Sequence, residues 1–126
     1  MESIKQKQVA ELVKRNFSLV LQEEGTYVFG AAPLVTVTTV KVTPDLGLAK
    51  IYLSVFNTEN KQEVILEMEA EKTHLRSSLA HRLKKQVRRI PDIDFYLDDT
   101  LDEMLRLQQL FNKLHSENQM GDDSEE

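Results

Sequence analysis

The sequence predicts an α+β domain in which helices cover one face of a three-stranded sheet, with elements in the order α-β-β-α-α-β-α. Three observations lead to this prediction. Both ends of the chain place apolar residues at helical spacing, two segments rich in β-branched residues flank a turn, and a short segment near residue 95 alternates apolar and acidic residues. At 126 residues without cysteine, the chain is one domain that needs no metal or disulfide to fold.

The first predicted helix runs from residue 3 to about residue 22. Its apolar positions recur at helical spacing, at Ile4, Val9, Leu12, Val13, Phe17, Val20 and Leu21. Gly25 follows these positions, and glycine is a frequent helix terminator. We therefore expect the helix to end before this glycine.

Two strands are predicted next, over residues 34–43 and 48–56. Residues 44–47, Pro-Asp-Leu-Gly, are a turn signal, so we expect the two strands to pair in antiparallel orientation. Within the first strand the valines change from odd to even positions. This change predicts a β-bulge near Thr38 and Thr39.

Two helices are predicted before the last strand, over residues 61–70 and 73–90, the second stopped by Pro91. The second helix contains no carboxylate and six basic residues, which are Arg76, Arg82, Lys84, Lys85, Arg88 and Arg89. Its apolar side consists of Leu75, Leu79, Leu83, Val87 and Ile90, opposite His74, Ser77, His81, Lys84, Lys85 and Arg88.

This single-sign face predicts binding to a polyanion, most simply RNA. Solvated helices usually mix Glu with Lys, because such pairs stabilise the helix and like charges repel. A helix without carboxylates, in a chain of net charge −5, departs from that habit. Arg76 lies beside the apolar stripe, so we expect it to be partly buried in an ion pair.

The third strand is predicted at Ile93, Phe95 and Leu97, whose apolar side chains alternate with polar ones. Thr100 and Glu103 match a capping box that opens a last helix. The surrounding carboxylates fit helix capping and the helix dipole better than a metal site.

No catalytic or metal site is predicted. His74 and His81 are seven residues apart, too far along a helix to bind one metal ion. Nucleophile motifs and phosphate-binding glycine loops are absent from the sequence. We therefore expect a protein that is not an enzyme and has no cofactor or small-molecule substrate.

The charge of the chain is concentrated at its end. Residues 117–126 include Asp122, Asp123, Glu125 and Glu126 and almost no apolar side chain, which predicts a disordered acidic tail after a domain of residues 1–116. The first residues are amphipathic rather than apolar, and no apolar stretch is long enough to span a membrane. We expect a cytoplasmic monomer.

Three blocks of the sequence resemble the ribosome-binding factor A family in content, order and spacing. They are residues 35–54, 75–80 and 91–100, within a resemblance that covers residues 5–114. The resemblance implies a type II KH-like fold and a non-enzymatic assembly factor. Such a factor binds the free small (30S) ribosomal subunit and its 16S rRNA and assists late maturation of that rRNA.

The resemblance also places Glu71, Lys72 and Thr73 where the family has a kink between two helices, usually Ala-x-Gly. Both small residues are missing here, and we expect Thr73 to break the helix as an N-cap instead. The predicted RNA-binding residues are Lys84, Lys85, Arg88, Arg89, Arg82, His81, Ser77, His74, Lys72, Lys5 and Lys7. The alternative is an adaptor whose basic helix docks an acidic protein partner.

Overall fold

The computed structural model describes the backbone of residues 2–125 and the side chains of residues 2–100 and 103–116. The predicted α+β class is confirmed, with a three-stranded sheet in the KH-like order. The elements are α1 (Ile4–Phe29), β1 (Leu34–Val42), β2 (Leu48–Phe56), α2 (Lys61–Ala70), α3 (Lys72–Leu83), β3 (Asp92–Leu97) and α4 (Thr100–Glu125).

The sheet has the strand order β1-β2-β3, with β1 antiparallel and β3 parallel to β2. Val37 pairs with Leu53 and Thr39 pairs with Tyr52, so Thr38 is an extra residue in β1. The predicted β-bulge is therefore confirmed. It turns the valines on both sides of it toward the core.

The bulge is tied to the segment that follows β3. The Thr38 hydroxyl donates to Asp98 Oδ2 at 2.5 Å, and Asp98 Oδ1 accepts the Thr100 N–H at 3.0 Å. These bonds, that of Thr38 first, hold the pKa of Asp98 below its ordinary value of 3.8. Thr100 is already helical, its N–H donates to Asp98, and the Glu103 N–H donates to the Asp99 carbonyl, so the predicted role of Thr100 as N-cap is wrong.

Helices α1, α2 and α3 cover one face of the sheet and bury the core against it. The predicted apolar side of α3 is confirmed up to its last residue, since Leu75, Leu79 and Leu83 are fully buried. The other large side chains buried to the same degree are Phe17, Ile51, Leu53, Met68, Ile93, Val13, Val20, Val55 and Pro91.

Helix α1 continues about two turns beyond its predicted end at residue 22. Gly25 is buried inside the helix, and a Cβ there would lie 2.7 Å from the Phe29 ring. The glycine therefore admits a ring instead of ending the helix. Gly30 ends α1 with φ 87°, a backbone conformation that favours glycine, and its N–H donates to the Thr26 carbonyl.

A break separates α2 from α3 at Glu71, as predicted. The predicted N-cap is wrong, however, because Thr73 lies inside α3 and Glu71 occupies the cap position without a side-chain cap bond. The Glu71 N–H is still satisfied by carbonyls of the last turn of α2.

Helix α3 ends at Leu83, so the predicted helical extent to Ile90 is wrong. The N–H groups of Gln86 and Val87 both donate to the Leu83 carbonyl, which closes a turn. Val87 and Ile90 still pack against the core. Seven more helical residues would carry the chain about 10 Å onward, away from the start of β3 at Asp92.

The part of α4 whose side chains are described, residues 100 and 103–116, does not pack on the sheet. The apolar side chains of its described part are about half to two-thirds exposed, at Met104, Leu105, Leu107, Leu110, Phe111 and Leu114. Its backbone continues past residue 116. The side chains of residues 117–126 lie outside the described residues, and the domain end at 116 and the disordered tail stay predictions.

The outer edge of β3 is held by three side chains from α2 and α3, which we call the edge clamp. Glu69 accepts the Phe95 N–H at 3.3 Å, and Lys72 donates to Asp94 at 2.7 Å. Arg76 donates to the Ile90 and Pro91 carbonyls at 3.1 and 3.3 Å and lies 3.2 Å from an Asp92 carboxylate oxygen. The predicted ion pair of a partly buried Arg76 is confirmed. The clamp satisfies an edge that would otherwise be open.

Replacing Arg76 with Ala should lower the free energy of unfolding by about 1–2 kcal/mol, since the side chain joins three backbone and carboxylate groups but is partly exposed. Arg88→Ala is the matched control and should change it by less than about 0.5 kcal/mol. Urea denaturation of both variants measures the difference. Equal effects would mean that Arg76 is an ordinary surface residue.

The Asp98 carboxylate should stabilise the fold only while it is ionised. Its pKa is lowered on folding, so its contribution is present above pH 3.8 and is lost as the pH falls through the folded-state value. Denaturation at pH 6 and pH 3 should show a stability gap between the wild type and Asp98→Asn that shrinks on acidification. In a Thr38→Val background the shrinkage should be smaller, and an unchanged gap would contradict this account.

Candidate nucleic-acid interface

The basic face of α3 is paired with carboxylates of α1. Arg82 forms an ion pair with Glu23, and His74 Nε2 lies 2.9 Å from a Glu24 carboxylate oxygen. Ser77 and His81, also predicted to bind RNA, line the same open cavity of about 540 Å³ between the two helices. The predicted cationic face is therefore a groove of mixed charge at these four positions.

Lys72 belongs to the edge clamp. Its ammonium group lies 2.7 Å from Asp94 and 3.1 Å from Glu69. The hydrogen bond to Asp94 is the main cause that raises the pKa of Lys72. This lysine is engaged with the sheet, and a phosphate would have to compete with two carboxylates for it.

Lys84, Lys85 and Arg88 form a group of exposed cations, which we call the basic turn. They lie on the non-helical segment after α3, all three are exposed, and none pairs with a carboxylate among the side chains described. The predicted residues are correct in charge and exposure but not in their helical placement. Because the turn is irregular, its three side chains are not confined to one helical face.

Arg89 faces the β1–β2 turn. One of its terminal nitrogens lies 3.2 Å from the position of a Cβ built on Gly47. Its charge helps to lower the pKa of Asp45, although the hydrogen bond from the Thr43 hydroxyl is the larger cause. Arg89 therefore lies beside a carboxylate, unlike the three residues of the basic turn.

Lys5 and Lys7 lie at the same end of the domain as the basic turn. Gln6 Nε2 donates to the Val42 carbonyl at 2.9 Å, which places the start of α1 at the end of β1. Asp92 N–H donates to the Gly47 carbonyl at 2.9 Å, which brings the segment after α3 to the same end of the sheet. Both lysines are exposed there.

Glu23 and Glu24 are the site residues that the sequence prediction missed. They lay beyond the predicted end of the first helix, because Gly25 was expected to stop that helix. Within the longer helix they lie beside α3. The apolar repeat continues up to Val20 and Leu21, shortly before these two residues. This repeat was the signal that the helix could extend past them.

No helix among residues 2–125 combines the length and the apolar character needed to cross a membrane. Among the described side chains, no cluster of three or more His, Asp or Glu residues could hold a metal ion. The described surface is therefore characterised by its charged groups, its grooves and the apolar side chains of α4.

Comparison with known proteins identifies a family for this chain. The family model for ribosome-binding factor A matches residues 5–111. A ribosome-binding factor A of Cytophaga hutchinsonii is 36% identical over 114 residues, covering 90% of this chain and 85% of that protein. A ribosome-binding factor A of Chlorobaculum tepidum is 34% identical over 113 residues, and the match covers 89% of this chain and 92% of that protein.

Solved structures show the same fold. The crystal structure of ribosome-binding factor A from Thermus thermophilus has a TM-score of 0.60 at 21% identity, covering 73% of this chain and 94% of that one. A homology model of the Thermus thermophilus factor, fitted into a cryo-EM map of a 30S–factor complex, has a TM-score of 0.58 at 20% identity, covering 79% and 97%.

Replacing Glu23 and Glu24 by Gln should tighten binding to single-stranded RNA severalfold at low salt, since it removes two negative charges beside Arg82 and His74. Glu59→Gln with Glu63→Gln, at the start of α2, is the control of equal net charge. Fluorescence anisotropy at several salt concentrations compares the pairs. Equal tightening by both would mean that only net charge matters.

Proposed function

This chain belongs to the ribosome-binding factor A family, and from that premise we propose that it binds the free 30S subunit through the 16S rRNA and assists late maturation of that rRNA. Two lines support the proposal. The two relatives described above are ribosome-binding factors A, and the alignment with this chain covers most of their length. A family member of the same fold has been fitted into a map of its 30S complex.

The observation that carries the RNA contact is the basic turn. Lys84, Lys85 and Arg88 are exposed and unpaired among the described side chains, whereas the cations on α3 itself are paired. Three unpaired cations in five residues attract phosphates and release counterions when bound. Lys5 and Lys7 extend this surface at the same end of the domain.

The basic turn is held at both ends. Leu83 before it and Pro91 after it are buried, and Arg76 donates to the two carbonyls that precede β3. Val87 and Ile90 pack on the core between the charged residues. A backbone fixed in this way loses little conformational freedom on binding, so more of the electrostatic attraction remains as affinity.

The proposed action is binding without catalysis, by a cytoplasmic monomer. Phosphate contacts through a basic turn recognise the position and shape of an RNA more than its sequence. The rival function, docking of an acidic protein partner by the same residues, predicts binding to a protein and weak affinity for naked rRNA. Binding assays with protein-free 16S rRNA separate the two functions.

Replacing Lys84, Lys85 and Arg88 together by Glu should abolish association with the free 30S subunit without unfolding the protein, since all three side chains are exposed. Replacing the three by Gln should flatten the slope of log affinity against log salt by about 2 for unpaired RNA. Sedimentation with 30S subunits and a thermal melt measure the two effects.

The control for this experiment replaces Arg106 and Lys113 of α4 by Gln. Both cations are exposed, and they lie outside the proposed surface. This variant should bind the subunit like the wild type. Normal 30S binding by the folded triple Glu variant would overturn the assignment of the basic turn.

A further inference from the structure

The face of the sheet opposite α1, α2 and α3 carries a pair of stacked tyrosines. Tyr52 and Tyr96 are partners in the β2–β3 register, with ring centroids 5.3 Å apart and ring planes 25° apart. Their strand neighbours Ile51 and Phe95 point into the core, so both tyrosines point outward. Tyr96 supports one side of the Tyr52 ring.

Two lysines lie beside this pair, directly opposite each other. Lys41 of β1 and Lys50 of β2 are Cα partners, and both point outward. Like charges in directly opposite positions destabilise a sheet. The Lys41 ammonium lies 5.9 Å from the centre of the Tyr52 ring, near the limit of a cation–π contact. On its other side Lys50 is the Cα partner of Asp94, so the lysine without a carboxylate in a directly opposite position is Lys41.

A cavity of about 320 Å³ opens on the β1 side of Tyr52. Its wall consists of Thr39, Lys41, Tyr52 and residues 97–100. Both oxygens of Asp98 accept hydrogen bonds, from Thr38 and Thr100, which fixes the wall. Asp99 is exposed beside it, and its carboxylate accepts no hydrogen bond from the described residues. The volume is at the lower end of the range for small-ligand sites.

We propose that this cavity holds one unpaired purine base of an RNA, stacked on the β1 side of Tyr52 and supported from behind by Tyr96. Lys41 leaves the ring and, with Lys50, contacts the phosphates next to that base. Aromatic stacking together with nearby cations is the usual way in which proteins hold single-stranded nucleic acids.

Asp99 provides the selectivity. A carboxylate accepts hydrogen bonds and donates none, so it favours the amino group of adenine or the adjacent N–H groups of guanine. Uracil presents one N–H group between two carbonyl oxygens on the same edge, and these oxygens repel a carboxylate that approaches the N–H group. The larger purine surface also stacks better on Tyr52. The cavity therefore favours purines over uracil.

This site is chemically distinct from the basic turn. Asp94, Asp98 and Asp99 lie near the two lysines, so these five groups together carry no net positive charge. Binding there depends on stacking, with at most two phosphate contacts and a shallow salt dependence. The inference rests on the proposed RNA-binding function, and it assigns a second, base-holding site on the opposite face of the sheet.

Fluorescence anisotropy with labelled RNA tetranucleotides tests the proposal, using one adenosine or guanosine in a uridine background and an all-uridine probe. The Lys84→Glu, Lys85→Glu, Arg88→Glu variant serves as the parent, so that the basic turn does not contribute. The purine probes should bind this parent more tightly than the all-uridine probe. Tyr52→Leu and Tyr96→Leu should weaken purine binding about five- to a hundredfold.

Three further variants make the result specific. Tyr52→Phe keeps the ring and should restore binding, and Asp99→Asn should reduce the preference for purine. Tyr27→Leu is the matched control, because Tyr27 is 90% exposed and lies on α1. Equal binding by the folded Tyr52→Leu and Tyr27→Leu variants would overturn the proposal, as would equal binding of all probes. If the basic-turn substitutions reduced 30S binding and Tyr52→Leu did not, the proposed function would stand without this second site.

Discussion

The arrangement of the candidate interface depends on how the edge of β3 is closed. Glu69, Lys72 and Arg76 come from two helices that meet at a break, and they reach three successive parts of one strand edge. This set of bonds fixes α3 relative to the sheet and fixes the chain just before β3. The basic turn lies between those two fixed points, so its cations are presented by a constrained backbone.

Periodicity predicted the elements that depend on burial, because buried positions appear as apolar residues at regular spacing in the sequence. The bulge at Thr38 and the stripe of Leu75, Leu79 and Leu83 were predicted for this reason. Helix ends depend instead on contacts distant in sequence. Gly25 makes room for the Phe29 ring inside a longer helix, and the chain that follows α3 must reach the start of β3. Neither requirement is visible in the local pattern.

The same limit affected the prediction of charge. A helix read alone shows only the carboxylates on its own segment, whereas an ion pair forms wherever two elements pack together. Glu23 and Glu24 neutralise part of α3 from α1, at sequence separations of 59 and 50 residues from their partners. Lys84, Lys85 and Arg88 stay unpaired among the described side chains because they lie past the end of α3. The stacking of Tyr52 on Tyr96 depended likewise on a strand register that only the fold defines.

The bulge in β1 accommodates one extra residue and keeps the valines on both sides of it turned toward the core. Thr38 shifts the alternation by one residue, so that Val40 and Val42 face the helices and Lys41 faces outward. If the strand alternated strictly after Val37 without the bulge, Val40 and Val42 would turn into water and Lys41 into the core. Removal of the extra residue itself would instead restore a regular strand with both valines still facing the helices. Loss of the extra residue in related chains should therefore preserve the core side of the strand and remove the Thr38 hydroxyl bond to Asp98.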